Sequence, residues 1–453
     1  MRGGKKDISM LFVYSSVDNY LKIDGELGFV ITQTIFKTVG AGDGFRQFRF
    51  IHPDQGTTII RPCIVHDLSG MQVFEGATNR TAVLVLQKQK QDFVYPIPYQ
   101  IWSGRTLIEQ DETLPHVLQT TRRRLVDAAP IEPKRLNSPW LTATAAALSG
   151  IRKAIGKSGY VAHEGVNTGG LNGCYWIRIV KRLDGGNLVI ENLYDIGKIK
   201  VERNQAVVEP DLVYPLLRGR EAERWRAVPT SFILAPQDQM KEREGIPESE
   251  MRKKYPKTYA YLKIFEKQLA ARRDRKYYPA GSPFYTMRNM ASYSLAPWKV
   301  VWPEVGHTVR AGVCGPGKVN SKRPALPDHT IVAVSCNAKE EAHFICALLN
   351  SAPAQLAAAS YIVLHPSPHV MNHIAIPKFN EEDAQHLRLS ELSDACHAAA
   401  DDGDAERLAG LETEINEAAA TLWRLSREEL NAILATSATR DMDDAVEVCD
   451  EQD

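Results

Sequence analysis

The sequence predicts an α/β protein with a partial doubly wound sheet, then a mixed α/β domain, then a helical C-terminus. Three observations carry this. Residues 8–37 couple an amphipathic run to a near-continuous apolar one; residues 156–380 alternate β-rich runs with helical ones; and from about residue 381 the chain is rich in Ala, Glu and Leu. At 453 residues, 44% hydrophobic and 24% charged, the chain has core-forming material for about two to four domains of ~100–200 residues each.

Residues 8–21, ISMLFVYSSVDNYL, place Ile8, Leu11, Phe12, Val17 and Leu21 near a 3.6 period, with Asp7 as the helix N-cap. After the Asp24-Gly25 turn, LGFVITQTIF reads as a strand covered on both faces, as in a parallel sheet. Two β-rich runs follow, RPCIVHDL (61–68) and RTAVLVLQK (80–88), separated by a loop carrying Phe74. A helix feeding a buried strand, then two strands close in sequence, resembles the closing end of a doubly wound sheet; a central strand needs neighbours on both sides. Residues 1–95 are therefore expected to be part of a sheet domain. Prolines 96, 98, 115, 130, 133 and 139 punctuate the next stretch, so 96–155 reads as a connector. Residues 156–380 form the mixed domain, and 381–440 two or three helices. The tail 441–453, DMDDAVEVCDEQD, holds seven acids and no base and reads as a disordered, solvated end.

The 55 basic and 55 acidic residues cancel, so charge distribution rather than net charge must point to a partner. Between 241 and 290, thirteen bases stand against six acids, interleaved with Tyr255, Tyr259, Tyr261, Tyr277, Tyr278, Phe284 and Tyr285. Such a stretch suits either solvated helix faces or a phosphate-contacting surface. Seven scattered cysteines without a CxxC pair fit a reducing compartment rather than a disulfide framework or a zinc site. No signal peptide and no run of about 18 apolar residues occurs, which predicts a cytoplasmic protein without a membrane partner. VGAGDGF (39–45) lacks the full dinucleotide fingerprint and reads as a loop at a strand end. HPSPH (365–369) reads as turn structure rather than a ligand pair, and no metal is expected.

Several stretches, taken in order, are similar to one family: adenine-N6 DNA methyltransferases with a C-terminal target-recognition domain, as found in restriction–modification and phage-defence systems. The segment Gly3–Phe50 resembles the part after that family's Asn-Pro-Pro-aromatic motif, and VFEGATNRTAVLVLQK (73–88) the late motif of its methyltransferase domain. HEGVNTGGLNGCYWIRI (163–179), YPLLRGREAERW (214–225), PFYTMRNMASYSLAPWKVVW (283–302) and VMNHIAIPKFN (370–380) resemble its recognition domain. RLNSPWLT (135–142) imitates the Asn-Pro-Pro-aromatic motif but has Ser138 at the second position and lies after the sheet; it reads as a decoy.

The resemblance implies that 1–95 is the closing part of a methyltransferase sheet and 156–380 a target-recognition domain for double-stranded DNA. The S-adenosylmethionine loop and the Asn-Pro-Pro-aromatic motif would precede Met1, on a separate polypeptide, so the chain is expected to be inactive alone. Phe74 matches the position that stacks on the flipped target base. Asn167, Thr168 and Asn172 in GVNTGGLNG are candidates for DNA contact, since small residues let a backbone approach and Asn suits adenine. Arg218, Gly219 and Arg220 would reach phosphate or guanine; Lys253, Lys254, Arg272 and Arg273 would add sequence-independent affinity. The alternative expectation is a stand-alone DNA-binding specificity module, or an inactive truncated remnant.

Overall fold

The computed structural model describes residues 8–38, 40–52, 56–74, 80–107, 112–197, 199–306, 308–317, 323–359 and 366–450. The chain folds as two compact units, the first from Met1–Ile155, Ala352–Val363 and Trp423–Asp453, the second from Gly156–Ser351 and Leu364–Leu422. Both mix helices with sheets, and three helices, Ala384–Asp402, Ala405–Leu422 and Arg427–Asp450, end the described chain. The α/β class and the helical C-terminus are thus as the sequence predicts.

The first unit contains β1 (Glu26–Thr32), β2 (Arg49–His52), β3 (Gly56–Gln72), β4 (Thr81–Gln89), β5 (Ile97–Leu107), β6 (Thr121–Pro130) and β7 (Trp140–Ala143). They form one sheet in the order β1-β4-β3-β5-β6-β7, with β2 beside β3. All pairs are antiparallel except β3 with β5. The alternation in TAVLVLQ sends Ala82, Leu84 and Leu86 into the core, where they meet Val13 and Val17 of the helix Ser9–Tyr20 and the rings of Phe36, Phe45, Phe48, Tyr99 and Trp140.

Two expectations need correction here. The LGFVITQTIF run is not a strand buried on both faces. β1 lies at the sheet edge, antiparallel to β4, and Ile31 is its one fully buried residue. The apolar run looks continuous because the strand stops at Thr32, and the 3-10 turn Gln33–Phe36 buries Ile35 and Phe36 by a different geometry. Nor is 96–155 a plain connector, since it supplies β5, β6, β7 and the helix Ala145–Ala154 to the first unit. Four of its prolines sit at or next to strand ends: Pro96 and Pro98 around the start of β5, Pro130 closing β6 and Pro139 preceding β7. There a missing N–H costs little of the ladder. Of the acidic tail, 441–450 continue the helix Arg427–Asp450, and 451–453 lie outside the described residues.

A second core in the first unit joins Ala129, Leu141, Leu148 and Ile151 to Leu356 and Ile433, residues distant in sequence. Its polar clasp is a capping box. Ser426 Oγ accepts the Glu429 N–H at 3.1 Å, while Glu429 accepts the Ser426 N–H at 2.8 Å. The same carboxylate takes Lys153 Nζ at 2.7 Å and Ser149 Oγ at 2.8 Å. Burial pushes Glu429 upward, but these partners outweigh it and hold the carboxyl at about 2.

The second unit has β8 (Ala162–Glu164), β9 (Trp176–Arg182), β10 (Leu188–Asn192), β11 (Gln205–Val208), β12 (Val213–Leu217), the short pair β13 (Ala222–Glu223) and β14 (Arg226–Ala227), β15 (Ser231–Leu234), β16 (Trp298–Pro303), β17 (Gly312–Cys314), β18 (Leu326–Pro327) and β19 (Ile331–Cys336). Six make a sheet in the order β11-β10-β9-β15-β12-β18, and four another, β17-β16-β19-β8. One core lies on the six-stranded sheet, where Trp176, Ile177, Ile190, Tyr214 and Ile233 meet Tyr261, Leu262, Phe265, Phe284 and Tyr285.

Candidate nucleic-acid interface

The loop between β8 and the turn Asn172–Tyr175 carries GVNTGGLNG. It turns sharply because Gly169 and Gly170 adopt φ of 68° and 86°, a region costly for residues with a Cβ. A Cβ on Gly169 would stand 2.7 Å from Asp274 Oδ2 and 2.9 Å from Arg272 Cδ. Asn167 Oδ1 accepts the Gly169 N–H at 2.9 Å, which fixes the turn and leaves the Asn167 amide NH2 without a partner among the described residues. Thr168 and Asn172 are buried and hydrogen-bonded to each other inside the loop. Of the three predicted contact residues here, Asn167 therefore remains available on the surface, while Thr168 and Asn172 shape the loop from within.

Arg272 also differs from its expected role. Its side chain is 1% exposed and donates from Nε to Leu269 O at 3.0 Å, from Nη1 to Thr168 O at 3.0 Å, and from Nη2 to Phe284 O at 2.9 Å and Thr286 O at 2.7 Å. Burial would lower its pKa, but Tyr175, Tyr278 and Asp274 outweigh this and raise it, so the guanidinium stays charged. A fork of donors in one plane suits four carbonyls converging from three chain segments. Arg272 is a brace that fastens the 167–173 loop to the 284–286 segment, not a phosphate contact.

Arg218 is likewise buried and committed. It binds Glu221 through Nε at 2.9 Å and Nη2 at 2.5 Å, and Thr230 Oγ at 3.0 Å. Gly219 N–H is taken by Thr330 Oγ at 3.1 Å, while Arg220 beside it is exposed. Lys253, Lys254 and Arg273 are all exposed; Lys254 pairs with Glu250 at 2.7 Å.

The basic stretch thus resolves into distinct classes. Lys241, Arg252, Lys254 and Lys263 pair with glutamates three or four residues away, which are solvated helix-face pairs worth little. Arg243, Lys253, Lys257, Lys267, Arg273 and Lys276 are exposed and take no ion-pair partner among the described residues. The aromatic residues are mostly core. Tyr259, Tyr261, Tyr278, Phe284 and Tyr285 are buried, and Tyr261 and Tyr285 spend their hydroxyls on Cys174 O and Ile246 O. Tyr277, half exposed, is the ring left at the surface, with Lys276 5.0 Å and Arg288 5.4 Å from its centroid. Composition alone could not sort stacking rings from core rings.

Phe74 is 49% exposed and stands in a bend after β3; the rest of its motif, 75–79, lies outside the described residues. The two motifs set aside in the sequence meet each other. Arg46 is buried and donates to the carbonyls of Ile35, Thr38, Asn137 and Ser138 and to Asp43, while Asn137 Nδ2 donates to Asp43 O at 3.1 Å. Burial lowers the Arg46 guanidinium to about 10, with Asp43 opposing. The glycine loop and RLNSPW are thus tied by one arginine. His369 and Asn372 are neighbours at 3.5 Å; His365 lies outside the described residues. Among the described residues no group of three or more His, Cys, Asp or Glu is placed to hold a metal ion, and no helix is long and apolar enough to cross a membrane.

No family model matches the chain. Over 149 residues, 33% of its length, the chain is 29% identical to the type II methyltransferase M.NspV of Nostoc sp., covering 29% of that protein. This is a distant sequence relationship to a type II methyltransferase. Among solved structures, the chain aligns with the type IIL restriction–modification enzyme MmeI in complex with DNA at a TM-score of 0.46 and 11% identity, over 93% of this chain and 50% of that one. With the type IIG restriction endonuclease BpuSI the values are 0.31 and 13%, over 92% and 49%. The chain spans half or less of the length of each of these proteins.

Proposed function

We propose that this chain is the DNA-recognition half of a site-specific adenine-N6 DNA methyltransferase. In this reading the first unit supplies the closing strands of the methyltransferase sheet and the second reads the duplex. The 453 residues contain no Asn-Pro-Pro-aromatic run; in this reading a separate polypeptide supplies that motif and the cofactor loop and binds S-adenosylmethionine. Phe74 stacks on the flipped adenine; its exposed ring face suits that role and not a place in the core. The observation that carries the reading is the arginine-braced 167–173 turn, which presents an Asn167 amide NH2 and, in the same unit, six exposed cations, all without partners among the described residues. The distant similarity to M.NspV supports the chemistry class.

The test has two arms. Fluorescence anisotropy with duplex DNA should show affinity falling steeply with salt, with a log–log slope of roughly −0.9 per phosphate neutralised. A flat response would remove the cationic surface from the reading. Calorimetry with S-adenosylmethionine should show no binding by this chain alone and binding once the partner polypeptide is added. Duplex binding without cofactor binding in either case would leave the stand-alone specificity module.

A further inference from the structure

Arg288 was counted among the bases of the 241–290 stretch but given no role by the sequence. Its backbone pairs with Asn167 in both directions, each N–H donating to the other's carbonyl at 3.0 Å. Two residues that exchange both hydrogen bonds across an antiparallel bridge stand directly opposite, with Cα atoms about 5.5 Å apart and side chains on the same face. The bridge therefore sets the side chains of Arg288 and Asn167 on the same face.

What holds Arg288 leaves its working end free. Asp274 Oδ2 lies 3.5 Å from Nε, and the guanidinium lies over Tyr277. Asp274 is in turn gripped by the Tyr278 hydroxyl at 2.8 Å. Nε is buried and makes no hydrogen bond, and the Nη groups donate to nothing among the described residues. The side chain is 27% exposed. The next residue, Asn289, adopts φ of 57° and donates to Glu164 Oε2 at 3.0 Å, so the backbone is turned sharply just after Arg288. A guanidinium ion-paired to a buried carboxylate on its Nε side and backed by a ring, with Nη groups that have no partner among the described residues, can address a planar double acceptor. In the major groove of DNA that acceptor is the O6/N7 edge of guanine.

We propose that Arg288 is a specificity-determining residue that reads a guanine close to the base read by Asn167, with Asp274 and Tyr277 as its positioning residues. The assignment rests on the DNA-recognition reading above and adds the base and the residue to it. It also explains why Gly169 must lack a Cβ: a side chain there would collide with the carboxylate that orients Arg288.

The experiment is selection of bound duplexes from a randomised pool by the full chain, followed by sequencing, for the wild type, Arg288→Ala, Arg288→Lys and the control Arg273→Ala. The wild type should select a guanine at one position; Arg288→Ala should lose that preference by about tenfold or more and Arg288→Lys in part, since an ammonium still reaches O6 or N7 but cannot form the planar fork. Arg273→Ala should lower affinity evenly at all positions. Placing 7-deazaguanine at the selected position should weaken the wild type more than Arg288→Lys, because the fork needs both acceptors whereas one ammonium can take O6 alone. That comparison holds even if Arg288→Ala fails to fold. An unchanged base preference in folded Arg288 variants overturns the assignment while leaving DNA recognition standing. A wild-type chain that binds no duplex overturns both.

Discussion

Arg272 offers the sharpest test of how the 167–173 loop is held. Its guanidinium donates four hydrogen bonds at 2.7 to 3.0 Å to carbonyls of Thr168, Leu269, Phe284 and Thr286, with almost no solvent access. Each hydrogen bond to a charged donor contributes roughly 1.5–3 kcal/mol net, and a buried acceptor left bare costs a further 1–3 kcal/mol or so. The four share one side chain and are not additive, so Arg272→Met should cost about 3–5 kcal/mol, the range for removing one partner of a buried charged cluster. The loss comprises the stranded carbonyls and Asp274, whose Oδ1 already lacks a hydrogen bond. Arg272→Lys should recover a minor part, because an ammonium cannot address carbonyls from three segments in one plane. Urea unfolding followed by tryptophan fluorescence measures the stability, and hydrogen exchange of amides 167–173 reports the local brace. Should Arg272→Met unfold within about 0.5 kcal/mol of the wild type with unchanged exchange in the loop, the brace is refuted.

Three further outcomes follow from the same structure. Glu429, held at about 2 against roughly 4.3 when unfolded, contributes stability that is complete above that unfolded value and is lost as pH falls toward 2. Allowing for solvent screening, Glu429→Gln should cost about 1 kcal/mol at pH 7 and flatten the acid limb of a Tm-against-pH curve. Lys299 is buried with one hydrogen bond, to Ala296 O at 2.6 Å, and burial pushes it down to about 8 despite the nearby thiols of Cys314 and Cys336. Between pH 8 and about 10.4 the unfolded chain keeps a proton that the folded one has released, so stability should rise with pH there by about 2–3 kcal/mol. Lys299→Met should abolish that rise and stabilise the protein at pH 7, as read by urea midpoints. Phe74→Ala should leave stability within about 0.5 kcal/mol, because the ring is half exposed, while lowering methyl transfer in the presence of the partner polypeptide. A large loss of stability would return Phe74 to the core.

Much of this protein was legible in the chain itself. The alternation in TAVLVLQ specifies β4 because a period of two has one structural solution, and the Ala-, Glu- and Leu-rich end specifies helices. The glycines of GVNTGGLNG announce a turn that a Cβ would obstruct. What the chain did not reveal is which charged and aromatic groups face inward. Arg272 and Arg273 are neighbours of identical chemistry, yet one is sealed among carbonyls and the other lies in water. Arg218 reads as a DNA contact until Glu221 and Thr230 close around it. Arg288 comes to stand opposite Asn167 only because a loop more than a hundred residues earlier pairs with its backbone. LGFVITQTIF reads as one buried strand until the chain leaves the sheet at Thr32. Local periodicity is a property of adjacent residues, so the sequence determined elements and turns by itself. Burial and pairing of charge depend on segments brought together from far along the chain, and only the tertiary structure decided them.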